Sequence, residues 1–254
     1  MLGNSVNNSP GSTNIFHFPF KMTILYEDNH LIAVNKTCNE IVQGDKTGDT
    51  PLSETVKAYI KLKYNKPGEV FLGVTHRLDR PTSGVVLFAR TSKALARLNE
   101  MFRDKSESSV AHQQSSIRKT YWAIVQGQPR LSESRLENYL IRNEKQNKSY
   151  ITKPGTRDAK LAILTYKTLA VGERYSLLEV NLLTGRHHQI RCQLAAIGCP
   201  IKGDLKYGAH RSNPDGGICL HARSISLIHP VSRIPLTIEA PVPDDPLWQA
   251  LCRM

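Results

Sequence analysis

The segment 75–84, T-H-R-L-D-R-P-T-S-G, places one carboxylate, two guanidinium groups and one imidazole directly before an apolar run. Loops of this kind often carry function, because a rigid scaffold positions them. A carboxylate such as Asp79 can act there as a nucleophile or as a base. The alternative is a solvated ion cluster with Ser83 and Gly84 forming a turn, since exposed ion pairs are common. Spacing alone leaves both interpretations open.

A second candidate site lies at Gly185 and Arg186, directly before a predicted helix over residues 186–197. The predicted buried stripe of this helix consists of Ile190, Leu194 and Ile197, and Gly198 supplies the stop signal. His187 and Arg191 are expected on its other face. A helix N-terminus can bind a phosphate, and an RNA phosphate serves as well as a nucleotide.

A metal site would need histidine and cysteine ligands at suitable spacing. The candidates are His187, His188, Cys192, Cys219 and His221, whose spacing fits no usual zinc pattern. The five cysteines are odd in number and lack the paired spacings of a disulfide framework. We therefore expect reduced thiols, no metal and no cofactor.

The charge balance points to a polyanionic partner. Lys and Arg total 34 against 22 Asp and Glu, which gives a formal net charge of +12. A membrane surface is the rival partner, but no stretch approaches the roughly 20 apolar residues that span a bilayer. No secretory signal opens the chain. We expect a soluble, cytoplasmic protein that binds nucleic acid, not membrane.

The elements that must position the candidate residues are mostly strands. Residues 23–36 form two β-rich runs around the turn 28–30, and apolar runs near 84–90, 120–126, 161–171, 175–183, 225 and 235 predict further strands. Helical spacing predicts helices over 52–64 and 91–103. Hairpin spacing outnumbers strand–helix–strand alternation, which favours an α+β fold with a long mixed or antiparallel central sheet flanked by helices and loops.

The remaining segments are predicted to be irregular. Residues 1–14 are rich in Asn, Ser and Gly and cannot offset the entropy of ordering, so we expect a disordered or loosely ordered lead over 1–21 and one domain over 22–254. A Ser/Gln-rich stretch at 104–117 predicts a mobile surface insertion, and 142–160 predicts a loop. The tail is rich in Pro and Asp.

Six ordered motifs decide between the open alternatives. The loop H-R-L-D-R-P-T-S-G before an apolar strand resembles the signature of the RluA-type pseudouridine synthases. Further segments resemble that family in the same order: 24–36 (I-L-Y-E-D-N-H-L-I-A-V-N-K), 119–123 (K-T-Y-W-A), 183–191 (L-T-G-R-H-H-Q-I-R), 203–208 (G-D-L-K-Y-G), and 220–222 with 229–230. The resemblance covers about residues 22 to 245, and implies the catalytic domain without an S4-type RNA-binding domain.

The resemblance implies an isomerase that converts uridine in structured RNA, transfer RNA or large-subunit ribosomal RNA, into pseudouridine. Asp79 is then the catalytic carboxylate, acting as nucleophile or as base at the ribose 2′ position. Arg191 holds that carboxylate ionised and in place. Tyr121 is expected to stack against the uracil and to help remove the proton at carbon 5, and Leu220 to wall the base pocket; the alternative for both is ordinary core packing.

RNA contacts complete the expected site. A target base must be flipped out of its stack, and Arg77 is the candidate to fill the gap, with a plain phosphate contact as its alternative. His76, Arg80 and Arg186 are the other expected substrate-binding residues. We expect the enzyme to work as a monomer.

Some positions depart from the family pattern. Residues 37–40 (T-C-N-E) replace a Pro and a Gly-rich turn, and His187 stands where Thr is usual. These departures affect the entrance loops, and hence substrate identity. Two other classes stay open: a non-catalytic RNA-binding module of the same fold, and a glycoside hydrolase, which would need a second carboxylate beside Asp79.

Overall fold

The structure is a computed structural model that describes residues 22–103 and 117–254. The expected lead, 1–21, and nearly all of the expected insertion, at 104–116, lie outside the described residues. The strands are β1 (Thr23–Glu27), β2 (Leu31–Lys36), β3 (Gly73–Val74), β4 (Ser83–Ala89), β5 (Ile117–Gln126), β6 (Glu133–Asn143), β7 (Lys148–Thr152), β8 (Lys160–Val171), β9 (Tyr175–Leu182), β10 (Leu220–Ile228) and β11 (Pro235–Glu239). The helices are α1 (Leu52–Lys63), α2 (Ser92–Arg103), α3 (Gln189–Ala196) and α4 (Pro246–Cys252), with a 3-10 turn at Leu205–Tyr207.

Within the described ranges, all the strands belong to one mixed sheet. Its order is β1-β2-β4-β10-β5-β9-β8-β6-β7, with β3 also paired to β4 and β11 to β10. The strands β4 and β10 run parallel through only two residue pairs, and this short contact joins the two halves of the sheet. The other neighbouring pairs are antiparallel. The expected α+β class with a long mixed sheet is confirmed.

The pairing of β4 with β10 depends on Gly84. This residue has φ 113°, and a Cβ atom there would collide with the backbone of Ala222 on β10. Only glycine combines this backbone conformation with such a close approach. Gly84 therefore allows the loop 75–82, which precedes β4, to lie beside the start of β10.

The first hairpin forms as its sequence predicts. Asp28 closes the turn, because its Oδ1 accepts hydrogen bonds from the backbone N–H groups of His30 and Leu31, each at 2.7 Å. Residues 31–34 are completely buried, because α1 packs on one face of β2 and α2 on the other. The hairpin is thus a rigid base for the loop that carries Asp79.

Two segments differ from the sequence-based expectation. The predicted loop 142–160 contains the end of β6 and all of β7, which form a half-exposed hairpin; its polar, weakly alternating sequence hides the strand period. The Pro/Asp-rich tail contains α4, where the Asp245 side chain accepts from the backbone N–H groups of Leu247 and Trp248 at 2.9 and 3.2 Å. This cap starts a helix too short to show a clear period.

Candidate active site

A cleft of about 630 Å³ lies beside the junction of β4 and β10. Its walls come from the loop before β4, the end of α2, strand β5, the segment before α3 and the start of β10. Seven of the eight predicted site residues line it, all except Arg80: His76, Arg77, Asp79, Tyr121, Arg186, Arg191 and Leu220. The fold therefore brings together side chains that are more than a hundred positions apart in the chain.

Asp79 and Arg191 are in direct contact in this cleft. Arg191 Nη1 donates to Asp79 Oδ2 at 3.1 Å, and the Asp79 side chain is 31% exposed, whereas that of Arg191 is 5% exposed. The carboxylate thus faces the cleft while its partner is buried behind it. This is the charge-assisted contact that the motif resemblance implies for the two residues.

Asp204 fixes Arg191 from the other side. Arg191 Nε and Nη2 donate to Asp204 Oδ2 and Oδ1 at 2.7 and 2.8 Å, and the Asp204 side chain is 1% exposed. Burial is the largest single effect and opposes the charge of Arg191, but the hydrogen bonds and charge of Asp204, together with Asp79, outweigh it and raise the pKa of Arg191. The guanidinium is therefore a permanent cation held in one orientation, with Nη1 directed at Asp79.

Lys36 anchors the loop that carries Asp79. This side chain is completely buried, and its Nζ donates to the backbone carbonyls of Thr37, Arg80 and Thr82 at 2.9, 2.9 and 2.7 Å. Burial lowers the pKa of Lys36 to about 8. Two of its three acceptors, the carbonyls of Arg80 and Thr82, follow Asp79 within three residues, so Lys36 holds the backbone directly after the carboxylate.

The segment before α3 is not helical as predicted, because the helix begins at Gln189 instead of Arg186. His188 has φ 51° and ψ 28°, the left-handed conformation, which ends the preceding turn before the helix starts. As a result, His187 does not share a helical face with Arg191. Gly198 adopts φ 79° after the helix, which agrees with the expected stop signal.

His188 and His187 connect this turn to the cleft and to the β6–β7 hairpin. His188 Nε2 lies 3.5 Å from Asp79 Oδ2, and the two histidine rings stack at 3.8 Å. His187 Nδ1 lies 2.8 Å from Ser149 Oγ, and its Nε2 lies 3.1 Å from Asn147 Oδ1. The unusual His187 therefore links the entrance of the cleft to the hairpin.

Tyr121 and Leu220 form an apolar wall of the cleft. Both side chains are almost completely buried, at 7% and 3% exposure, on the adjacent strands β5 and β10. Burial, followed by the negative charge of Asp79, raises the pKa of Tyr121 above its ordinary value. The phenol is therefore protonated near neutral pH. In this state it can pack against a nucleobase, but it cannot remove a proton.

His76 and Arg77 occupy different environments at the other side of the cleft. His76 Nε2 accepts a hydrogen bond from the backbone N–H of Leu87 at 3.0 Å, and its ring lies 5.3 Å from that of Phe102. Arg77 is exposed, and among residues 22–103 and 117–254 no carboxylate pairs with it. Arg77 is thus available to a substrate, whereas His76 is held by the strand beside it.

Two of the predicted substrate-binding residues, Arg80 and Arg186, have different surroundings. Arg186 lines the cleft, and its Nε donates to the carbonyl of Leu161 at 2.8 Å. Arg80 points away from the cleft lining and donates to Asp49 Oδ2 at 2.6 Å and to Thr47 Oγ1 at 2.8 Å. The structure therefore does not bring Arg80 into contact with the other predicted site residues.

Basic residues outnumber acidic residues in the described lining of the cleft. Among its described lining residues Asp79 is the one acidic group, against the basic residues Arg77, Arg103, Lys119, Arg142, Arg186 and Arg191. The Lys119 ammonium lies 4.5 Å from the centre of the Phe102 ring. A cleft lined mainly by one sign of charge attracts the opposite charge, here a polyanion.

Three kinds of feature are absent from the part of the chain that the structure describes. No group of three or more histidine, cysteine or carboxylate side chains there could hold a metal ion. No second carboxylate contacts Asp79, since Asp204 reaches it only through Arg191. None of the described helices is long and apolar enough to cross a membrane.

Sequence reasoning missed several functional positions, although each lies in a segment that it used. Lys36 ends the motif 24–36, Asp204 and Tyr207 belong to 203–208, and His188 belongs to 183–191. For Asp204 and Tyr207 the available signal was their position between two glycines in the motif 203–208. Their partners lie far away in the chain, so the contacts themselves could not be derived from local patterns.

This fold and this site together define a class of RNA-modifying isomerase, and the comparison with known proteins agrees. The family described as RNA pseudouridylate synthase matches residues 30–196. The chain belongs to that family. Its expected activity as an RNA pseudouridine synthase is therefore confirmed at the level of the family.

Individual relatives cover most of the chain. An uncharacterized RNA pseudouridine synthase of Bacillus subtilis is 32% identical over 92% of this chain and 72% of its own length. The tRNA pseudouridine synthase C of Pectobacterium carotovorum is 33% identical over 86% of this chain and 58% of its own length. The ribosomal large subunit pseudouridine synthase C of Rickettsia prowazekii is 32% identical over 87% of this chain and 68% of its own length.

A solved structure supports the fold. The human RNA pseudouridylate synthase domain containing 4 has a TM-score of 0.70 and 24% identity, over 87% of this chain and 88% of that chain. At this identity the likeness concerns the fold alone.

Proposed function

We propose that this protein isomerises uridine to pseudouridine in structured RNA, with Asp79 as the catalytic carboxylate. The observation that carries the proposal is the contact of Asp79 with the buried Arg191 in a cleft whose other described charged lining residues are all basic. The reaction breaks the N-glycosidic bond of uridine and joins carbon 5 of the same uracil to the same ribose. It needs no oxidant, reductant or co-substrate.

Asp79 has two possible roles in that reaction, and the same geometry serves both. As a nucleophile it would attack the anomeric carbon, and as a base it would remove the ribose 2′ proton. Either role requires an ionised carboxylate in a site from which water is excluded. Arg191 supports both roles, because its guanidinium pairs with the carboxylate and its fixed orientation limits that carboxylate to one position.

The surrounding residues suit a base that has left its stack. Tyr121 and Leu220 provide the apolar wall against which the uracil packs. Removing a base from a helix costs a few kcal/mol, so a side chain that fills the gap favours the flipped state. Arg77 is exposed at the cleft and fits this role, while Arg186 fits a contact to a phosphate. Arg80 is bound to Asp49 and has the weakest support among the expected substrate-binding residues.

The substrate we propose is transfer RNA or large-subunit ribosomal RNA, because relatives of comparable identity are named for each. A net charge of +12 supports a polyanion of this size. We further propose that the enzyme acts as a cytoplasmic monomer without metal. The rival, an RNA-binding module without activity, would not require an ionised carboxylate at the base of the cleft.

Pseudouridine mapping tests the proposal. Total RNA from cells with and without the gene should differ at one or a few uridines in transfer RNA or in large-subunit ribosomal RNA. The purified protein should then form pseudouridine at the same position in a transcript of that RNA. Unchanged maps, together with no product on either transcript, would reject the enzymatic function and leave the binding module.

A salt titration examines the RNA interface separately. Neutralising several phosphates releases counterions, so log affinity should fall steeply between roughly 50 and 200 mM salt, by about 0.9 for each duplex phosphate contact per tenfold increase. A flat response would contradict binding through the basic cleft.

A further inference from the structure

Both donors that approach the Asp79 carboxylate face the same oxygen atom. Arg191 Nη1 lies 3.1 Å and His188 Nε2 lies 3.5 Å from Oδ2. Within the described chain no hydrogen bond reaches Oδ1. The two sides of the carboxylate are therefore different: Oδ2 faces protein donors, and Oδ1 is left to the cleft.

The imidazole of His188 is itself held in place. The side chain is 5% exposed, its Nδ1 lies 3.1 Å from the hydroxyl of Tyr207, and its ring meets the Tyr207 ring edge-on at 5.6 Å. Its backbone is left-handed, a conformation that a residue other than glycine keeps only when its surroundings enforce it. His188 is thus fixed by contacts on its backbone and on its ring.

Two arguments favour the tautomer of His188 that carries the ring proton on Nε2. The Tyr207 hydroxyl accepts from the backbone N–H of Ser149 at 2.8 Å, so its own proton is free to be donated. The His188 Nδ1 atom, at 3.1 Å, is a nearer acceptor for that proton than the Ser149 carbonyl, at 3.3 Å. The opposite tautomer would also place an Nε2 lone pair against an ionised carboxylate, which is unfavourable.

We propose that His188 is a positioning residue for Asp79: its neutral Nε2–H group, oriented by Tyr207, restrains Oδ2 jointly with Arg191 and leaves Oδ1 as the reacting oxygen. The proposal rests on the proposed role of Asp79. Burial, followed by the positive charge of Arg191, lowers the pKa of His188 to about 2, so the ring is neutral at working pH. The 3.5 Å separation is longer than a formed hydrogen bond, and such contacts commonly tighten when substrate binds.

Two variants of equal length separate donation from packing. His188→Gln keeps an N–H donor near the position of Nε2, and His188→Met fills similar space without one; both have the same backbone constraint. We expect His188→Met to lower the single-turnover rate by roughly ten- to a hundredfold, the effect of one hydrogen bond to a charged group. We expect His188→Gln to regain most of that rate, with RNA affinity and unfolding midpoint equal in the two variants.

Equal single-turnover rates for the folded Gln and Met variants would overturn the proposal. Asp79→Asn is measured alongside to separate the two hypotheses. If Asp79→Asn is inactive while the two His188 variants react equally fast, only the role of His188 fails. If Asp79→Asn retains full activity, the proposed role of Asp79 fails first.

A spectroscopic measurement on the unmutated protein keeps the proposal testable if the variants do not fold. Nitrogen-15 chemical shifts of the histidine rings distinguish the two neutral tautomers, and His188 should show its proton on Nε2 near neutral pH. In Tyr207→Phe, which keeps the ring contact but not the hydroxyl, this tautomer should lose population and the rate should fall. A proton on Nδ1 in the unmutated protein would contradict the assignment.

Discussion

Arg191 contacts both oxygens of Asp204 through Nε and Nη2, and this two-point contact directs its remaining nitrogen, Nη1, toward Asp79. A buried carboxylate thus orients the cation that in turn holds the cleft carboxylate. All three groups are fixed before substrate arrives, which is how positioning lowers an activation barrier. The following predictions depend on this arrangement and on the elements around it.

Arg191→Lys should retain RNA binding but lose most of the isomerisation rate. Lysine keeps a positive charge but lacks the planar fork, so it cannot contact Asp204 at two points and still reach Asp79. The fall should be roughly a hundredfold or more in single-turnover assays, because charge-assisted contacts contribute about 1.5–3 kcal/mol each. Arg174→Lys, at an exposed arginine in the β8–β9 turn outside the cleft, is the matched control. Equal rates for the two folded variants would remove Arg191 from the active site.

Asp204→Asn should lower stability as well as rate. The change leaves the buried Arg191 paired only with the partly exposed Asp79, and breaking a buried ion pair costs about 3–5 kcal/mol. Urea unfolding at neutral pH measures the loss. Asp244→Asn, at an exposed aspartate after β11, should change the free energy of unfolding by less than about 0.5 kcal/mol. If the two variants are equally stable, the Asp204–Arg191 pair does not support the fold as described.

Lys36→Met should destabilise the protein and slow the reaction together. It leaves the three carbonyls around the Asp79 loop without their buried donor, and one unsatisfied buried group costs about 1–3 kcal/mol. Lys61→Met, on the exposed face of α1, is the control and should be nearly silent in urea unfolding. A Lys36→Met variant with unchanged stability and rate would mean that the loop is positioned by other contacts.

Acidification from pH 7 to pH 5 should reduce the free energy of unfolding. Burial lowers the pKa of His221 from 6.5 to about 4, so the folded state binds fewer protons than the unfolded state in this interval. The stabilising contribution is complete above pH 6.5 and is lost as the pH falls, by about 2 kcal/mol at pH 5. His188 should contribute a loss of similar size. His221→Gln should reduce the pH dependence of the free energy of unfolding by about the contribution of one histidine. An unchanged pH dependence would contradict a buried, neutral His221 in the folded state.

How far the sequence could predict this structure depends on whether the determining contacts are local. The hairpin of β1 and β2 and the strand after the Asp79 loop are predicted from the pattern of apolar residues and from turn residues. Both form as predicted. The contact between Asp79 and Arg191 was expected from the motif resemblance, because spacing alone cannot join positions so far apart. The orientation of Arg80 away from the cleft depends on Asp49, which no local pattern indicates.

Other features could not be derived because tertiary contacts override the local pattern. The helix was predicted to begin directly after Gly185, but a left-handed His188, held by Tyr207 and stacked on His187, delays the start of α3. The strand β7 lies at the edge of the sheet with only Ser149 fully buried, so it has little alternation to detect. The sequence thus predicted the elements of the sheet better than the connections that shape the cleft.

The most direct test of the central claim is the single-turnover rate of pseudouridine formation by Asp79→Asn on the RNA that mapping identifies. Asparagine preserves the shape of the side chain but cannot act as the nucleophile or base, while one lost charge among many phosphate contacts leaves RNA affinity within a few-fold. Asp244→Asn, at an exposed residue outside the cleft lining, is the matched control and should react like the unmutated protein. We predict no detectable pseudouridine from Asp79→Asn at RNA concentrations where it is fully bound. Product formation by Asp79→Asn at the unmutated rate would contradict the assignment of Asp79 as the catalytic carboxylate.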